Sequence, residues 1–397
     1  MKYIHRDLEK QALNAISTFP AVVITGPRQS GKTTLLKNLL PDYSYITFDD
    51  PLERERAAAD PNLFLEQMGD KIIIDEIQYV PELLSYIKIR IDENRGEYGR
   101  FVLTGSQQFS LMKNIGDSLA GRIAILELLP FSVTEMPEAG SQPGRKRQYI
   151  SACLRGSYPE VVINHAINRD TWYGSYYQTY LERDVRLIYN IGNLREFQQF
   201  LRLLAARCGE VLNLSNFGRD LGISVPTLKS WLSVLEASRI IYALMPWYNN
   251  LGKRITKAPK IYFLDTGFVC YLAGLTTPDH VTNGTMAGKL FENFVVQETI
   301  KHFIHKGKQP PIFYFRTNNQ LEIDLVIEND INSLLPVEIK LTGTPKMADT
   351  AGLSRFSELF PGKVSGNLIL VSLAKKTVPL DESTVSAEFN NFLKMLP

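Results

Sequence analysis

Two sets of residues in this chain have the types and spacing to do chemistry, one near each end. The first is Gly26-Pro27-Arg28-Gln29-Ser30-Gly31-Lys32-Thr33, a complete G-x-x-x-x-G-K-T pattern followed by Thr34. It succeeds the β-branched run Val22-Val23-Ile24-Thr25 and leads into the helix-forming stretch Thr34–Leu40. In a strand–loop–helix setting, the glycines let backbone N–H groups wrap phosphates and the helix N-terminus adds partial positive charge. Lys32 then reaches the β- and γ-phosphates, and the Thr33 hydroxyl ligates Mg²⁺. The expected cofactors are therefore ATP and Mg²⁺.

Hydrolysis is expected from Lys71-Ile72-Ile73-Ile74-Asp75-Glu76, an apolar run of the kind that forms a central parallel strand, ending in two acids. Asp75 is placed to hold Mg²⁺ through its water shell. Glu76 is placed to polarise the water that attacks the γ-phosphate. The strand Arg100–Thr104 ends in Gly105-Ser106, so Ser106 or Thr104 is a candidate sensor of the γ-phosphate. Asp49 and Asp50 precede Pro51, where helix capping and catalysis explain them equally well. Arg122, before the apolar strand Ile123–Leu126, is either an ion-paired surface group or an arginine that neutralises transition-state charge.

The second set lies on a helix and two strands. On the helix Gly288–His305, Glu292 falls within an apolar stripe of Val295, Val296, Ile300 and Phe303, where a carboxylate needs a cation or a metal. Glu322 and Asp324 share one face of a strand, as do Glu338 and Lys340 on the next. The order Glu…Asp…Glu-x-Lys is similar to the PD-(D/E)XK nuclease motif. That resemblance implies a metal held by Asp324 and Glu338, assisted by Glu292, with Lys340 positioning or activating water.

Between these ends, three helical stretches (Phe197–Arg207, Ser215–Leu221, Val225–Ser238) precede two β-rich segments, Ile240–Trp247 and Lys260–Leu264. That layout reads as a winged helix-turn-helix, with Thr227, Lys229 and Ser230 on the third helix and Lys253, Arg254 and Lys257 on a basic hairpin. The alternative is a winged helix used for protein packing.

Taken together, the loop motif, Ile-Asp-Glu-Ile-Gln, Leu-Thr-Gly-Ser, Leu-Ala-Gly-Arg, Gly-x-Tyr-Pro-Glu (Gly156–Glu160) and Tyr180–Val185 resemble a prokaryotic AAA-superfamily ATPase family. Its members carry a C-terminal domain of uncertain function similar to restriction-endonuclease-like nucleases. Ser30 is a departure, since an aliphatic residue is common there. The resemblance implies a helical lid behind the nucleotide, formed by the Tyr- and Arg-rich stretch before residue 194.

The expected α/β architecture is a P-loop AAA-type core (1–150), a helical lid (151–193), a winged helix-turn-helix (194–265) and a nuclease-like α/β domain (266–397). A Pro/Gly/Ser-rich boundary with a basic run falls at Met136–Arg147. The length of 397 residues exceeds one ordinary core. A net charge of +2 leaves any nucleic-acid contact to a local patch. Three dispersed cysteines fit reduced thiols, and no apolar run reaches membrane-spanning length, so a cytoplasmic protein with no membrane contact is expected.

The expected function is ATP hydrolysis coupled to a DNA-binding, nuclease-like module, in DNA processing and in a homo-oligomer if Arg122 acts on a neighbour. The alternative is a nucleotide-dependent switch that binds protein or DNA without cutting. A P-loop kinase is disfavoured because Glu76 suits water activation.

Overall fold

The structure, a computed structural model, describes residues 3–105, 118–136, 145–179, 194–319, 321–330, 333–364 and 366–397. Its N-terminal part is a five-stranded parallel sheet of β1 (Ala21–Thr25), β2 (Ser44–Thr47), β3 (Ile72–Asp75), β4 (Phe101–Gly105) and β5 (Ile123–Glu127), in the order β2-β3-β4-β1-β5. Alternate residues of the apolar strands go to two separate cores. Ala21, Val23, Ile72 and Ile74 pack toward α3 (Pro51–Ala59), α4 (Pro61–Met68) and α5 (Leu83–Glu93). Val22, Ile24 and Ile73 pack toward α1 (Glu9–Thr18) and α2 (Lys32–Leu39). Covering both faces is what makes these strands continuous hydrophobic runs. Helices α3 and α4 start alike, with Asp50 and Asp60 accepting backbone N–H bonds and Pro51 and Pro61 at the first helical position.

All five strands run the same way, so their C-terminal ends line one edge of the sheet. The phosphate loop after β1 and the acids after β3 lie on that edge; β4, inserted between β1 and β3, brings Thr104 there too.

The middle region has helices Leu194–Ala206, Leu214–Leu221 and Val225–Ala237, then an antiparallel pair, β6 (Ile241–Leu244) and β7 (Lys260–Phe263). Val211 adds a one-residue bridge to Lys260. Asn213 and Ser224 cap the second and third helices, their side chains accepting from the Asn216 and Thr227 N–H groups. The connection between β6 and β7 differs from the expected hairpin: it contains a helix, Leu251–Thr256.

A six-stranded mixed sheet closes the chain. Its order is β12-β13-β11-β10-β9-β8, with β8 Ile312–Arg316, β9 Glu322–Asp330, β10 Ser333–Ile339, β11 Leu368–Ser372, β12 Val378–Pro379 and β13 Thr384–Glu388. The helix Ala287–His305 is buried at every position from Leu290 to Lys301, which corrects the single-stripe reading of its pattern. One hydrophobic core runs from Leu129 through Tyr149, Tyr173, Phe200 and Trp231 to Phe294 and Leu396. The segments expected as lid, winged helix and nuclease-like domain therefore pack together around this helix. Cys153, Cys208 and Cys270 are buried and unbridged. Among the described residues no helix is long and apolar enough to cross a membrane.

Candidate functional site

The phosphate loop is held in shape from behind. Gly26 has φ 139°, and a Cβ there would stand 2.1 Å from the Leu128 carbonyl oxygen, so only glycine fits. Gly31, at φ 97°, is the N-cap of α2, and Gln29 adopts φ 61°. Arg6 donates to the Ser30 carbonyl at 2.9 Å and to the Leu129 carbonyl at 2.7 Å, clamping the loop to the segment after β5. Ser30 itself is fully buried, consistent with a side chain that needs no phosphate contact.

Lys32 donates to the carbonyls of Gly26 and Pro27, both at 3.0 Å. Burial pulls its ammonium down to about 8, against the raising influence of Glu76 and Asp75. The Thr33 hydroxyl donates to Asp75 Oδ2 at 2.7 Å, and Tyr45 donates to the same oxygen at 2.8 Å. The Thr104 hydroxyl donates to Asp75 Oδ1 and accepts from the Glu76 backbone N–H at 3.3 Å. Thr104 thus holds both acids in place. Glu76 occupies the left-handed region (φ 56°, ψ 45°), a conformation non-glycine residues adopt at a cost of about 1–3 kcal/mol. Gln78 donates to its carboxylate.

Beside these groups lies an open cavity of about 520 Å³. Arg28, Gln29, Gly31, Lys32, Thr33, Thr34 and Glu76 line it, as do Asp49, Pro159 and Glu160. The ambiguity over Asp49 and Asp50 resolves: Asp50 caps α3 through the Leu52 N–H at 2.9 Å, whereas Asp49 faces the cavity. Thr33 and Asp75 offer a hydroxyl and a carboxylate side by side, a hard-oxygen donor set that fits Mg²⁺.

Pro159 and Glu160 reach the cavity through a turn that the motif Gly-x-Tyr-Pro-Glu builds. At Gly156 (φ 88°) a Cβ would stand 1.8 Å from the Tyr173 hydroxyl. Asp265 accepts from Ser157 N at 2.7 Å, Ser157 Oγ at 2.6 Å and the Tyr173 hydroxyl at 2.5 Å, fixing that turn. In sequence the motif serves only the family resemblance; the fold brings its Pro159 and Glu160 to the cavity.

Arg122 is not brought to this cavity within one chain. It lies at the start of β5, on the sheet edge opposite the phosphate loop, and binds Asp92 bidentately at 2.9 and 3.0 Å. Ser106 and the Tyr180–Val185 motif lie outside the described residues.

The C-terminal acids converge, but with a lysine among them. Glu292, buried on the central helix, accepts from Lys260 at 3.1 Å, from Lys289 at 3.0 Å and from the Tyr262 hydroxyl at 2.6 Å. Burial raises its carboxyl, but the two lysines and the tyrosine bond outweigh that and hold it below the usual range. Lys260 also binds Glu322 at 2.6 Å. Asp324 accepts from the Ile339 N–H at 2.9 Å, and burial together with Glu292 and Glu338 pushes its carboxyl up to about 8. Lys340 pairs with Glu338 Oε1 at 2.6 Å. The cation that Glu292 requires is supplied in this arrangement by Lys260 and Lys289. Asp324, Glu338 and Lys340 remain adjacent on β9, β10 and its end.

Arg254 is likewise committed: its guanidinium binds Glu328 at 2.7 and 2.9 Å and stacks on Trp247 and Phe313, so it is not a free phosphate ligand. The Lys253 side chain lies outside what is described. Lys229, Ser230 and Lys257 are exposed.

The central helix also reaches back to the phosphate loop. Its His305 accepts from the Leu129 N–H at 3.2 Å through Nε2 and faces Glu135 at 3.5 Å through Nδ1, while Glu135 lies 3.1 Å from Arg6. Burial brings His305 down to about 4, so it is neutral near pH 7. Among the described residues Asp7, Glu135 and His305 form a compact ligand-type cluster, but Arg6, Ser132, Thr134 and backbone N–H groups already engage them.

Comparison with known proteins matches three segments of the chain. Residues 18–137 match an AAA domain, residues 146–279 a domain of unknown function (DUF8612) and residues 287–390 another (DUF4143). The chain is homologous to the uncharacterized protein Rv2008c of Mycobacterium tuberculosis, with 28% identity across 98% of this chain and 87% of that protein. The uncharacterized protein MJ1544 of Methanocaldococcus jannaschii is 24% identical over 87% of this chain and 79% of its own length. Among solved structures, the Walker-type ATPase PABY2304 of Pyrococcus abyssi is 16% identical, with a TM-score of 0.42, covering 67% of this chain and 94% of that one. The AAA domain implies ATP binding and points to ATPase activity.

Proposed function

We propose that the AAA domain hydrolyses ATP and uses the cycle to control a C-terminal, nuclease-like module that engages DNA. The observation that carries hydrolysis is that Lys32, Thr33 and Glu76 line one cavity, with Asp75 bonded to the Thr33 hydroxyl at 2.7 Å. The loop from Gly26 to Thr34 wraps the phosphates, and Lys32 binds the β- and γ-oxygens. Thr33 and Asp75 would hold Mg²⁺, whose charge would neutralise that of the phosphates. Glu76 takes the proton of the attacking water, with Thr104 fixing its backbone. Ser106 keeps its role as γ-phosphate sensor from its sequence position. Because Arg122 lies at the far edge of its own sheet, it serves only a neighbouring copy's nucleotide, in a homo-oligomer.

DNA contact draws support from an open cavity of about 330 Å³ between the β6–β7 region and β8, where Lys257 and Arg316 accompany Tyr248 and Tyr314. Cations interleaved with aromatic rings suit a nucleic-acid strand. A second reading, a switch that binds protein or DNA without cutting, is favoured by the lysine inside the acid cluster. Phosphate release and nicking on single-stranded, duplex and branched DNA test the pair. DNA-stimulated turnover that Lys257→Glu with Arg316→Glu diminishes supports DNA engagement; turnover indifferent to every DNA favours the switch. Mn²⁺-dependent nicking that Asp324→Ala abolishes selects the cutting form.

A further inference from the structure

We infer that Lys260 is a tethered cation that fills a position between Glu292 and Glu322 which a divalent ion would otherwise take, so Glu292 is closed to metal. This rests on the nuclease-like reading of the C-terminal sheet, but not on whether that sheet cuts. Lys260 binds Glu292 and Glu322, and Asp324 and Glu338 lie within electrostatic reach of this pair. The Lys260 ammonium comes from β7, outside the sheet that carries three of these acids. The Lys260 side chain is 1% exposed and Glu292 is 7% exposed, so neither group is balanced by solvent. Desolvating a lysine this completely is unfavourable unless carboxylates surround it.

They do surround it, at 2.6 and 3.1 Å, with the Tyr314 ring 5.6 Å from Nζ. Lys289 takes the second Glu292 oxygen, and Tyr262 shares the first. A divalent ion would have to displace the Lys260 ammonium to reach Glu292, and the pairing of β7 to β6 and to Val211 fixes the Lys260 backbone beside it. Asp324 and Glu338 lie beyond this pair, with Glu338 Oε2 buried and without a hydrogen-bond partner among the described residues. Any divalent ion at the cluster is thus confined to Asp324 and Glu338.

The test is Mn²⁺ binding by the full chain without nucleotide, in a Thr33→Val, Asp75→Asn background that removes the hydroxyl and carboxylate donors beside the phosphate loop, read by calorimetry and by Mn²⁺-dependent shifts in Tm. Glu292→Gln is expected to leave Mn²⁺ binding as it was, and Lys260→Met to add one Mn²⁺ and a Tm rise on Mn²⁺ addition. Asp324→Asn reports separately on the nuclease-like pair, whose failure to bind any ion leaves the Lys260 result readable. If Glu292→Gln removes a bound Mn²⁺, or if folded Lys260→Met gains none, the inference is overturned. Should Lys260→Met not fold, the Glu292→Gln result alone decides it.

Discussion

Two lysines, each beside carboxylates, are held in opposite ways. Lys32 rests on two backbone carbonyls, with Asp75 and Glu76 near but engaged elsewhere, and it borders an open cavity. Lys260 is bound directly by two carboxylates and sealed from solvent. Burial acts downward on both, yet Lys32 ends near 8 while Glu292, Asp324 and Glu322 hold Lys260 above the ordinary lysine value. A lysine whose charge is only weakly compensated is ready for an anionic ligand. One already paired with acids is part of the scaffold. The same residue type thus marks a binding site in the first region and a closed cluster in the second.

The largest expected effect breaks that contrast on the structural side. Lys260→Met leaves Glu292 and Glu322 without their shared partner, and removing one member of a buried pair is expected to lower stability by about 3–5 kcal/mol. Lys32→Met, whose partners are carbonyls, is expected to change stability by less than about 1 kcal/mol. Urea unfolding of the two variants side by side measures the difference; equal losses would erase it.

Next in size is the ligand side. Lys32→Ala is expected to weaken ATP binding by about 100-fold, the scale of a lost charge-assisted phosphate contact. Lys260→Met, where folded, is expected to bind ATP normally in the same fluorescence titration.

A smaller effect follows from the lowered Lys32. A bound triphosphate favours the ammonium, so the bound form holds its proton to higher pH than the free form. Below about 8 both forms are charged and affinity is flat. Above it, binding must take up a proton, and affinity falls by up to about tenfold per pH unit until the bound form also discharges. Isothermal titration from pH 6.5 to 9.5 in buffers of differing ionisation heat reads both the slope and the proton uptake. A profile that rises with pH would remove Lys32 from the phosphates.

The smallest concerns Arg122. Exchanging it for Ala is expected to leave turnover unchanged in dilute protein and to reduce it only at concentrations where copies associate. Equal loss at all concentrations would place it in its own chain's reaction, against its distance from the loop.

The nucleotide half was readable because its chemistry is contiguous: eight consecutive residues set the loop, and two set the acids. The far position of Arg122 was also readable, since a residue starting a parallel strand lies opposite a loop that ends one. Lys260 was not. It reads as a strand residue in a basic stretch, and its partner Glu292 comes 32 positions later on a helix whose surroundings only the fold reveals. Pro159 and Glu160 escaped for the same reason, as does any residue placed by a tertiary turn. Glu292 itself was flagged correctly as needing a cation; that the cation is a side chain depends on how β7 meets the final sheet.

The central claim is that this cavity hydrolyses ATP with Glu76 as the base. Its most direct test is Glu76→Gln, with ATP affinity and phosphate release measured on one preparation. Affinity within about threefold of the parent, with turnover lower by about 10²–10⁴-fold, is the predicted result. Phosphate release at the parent rate would contradict the account.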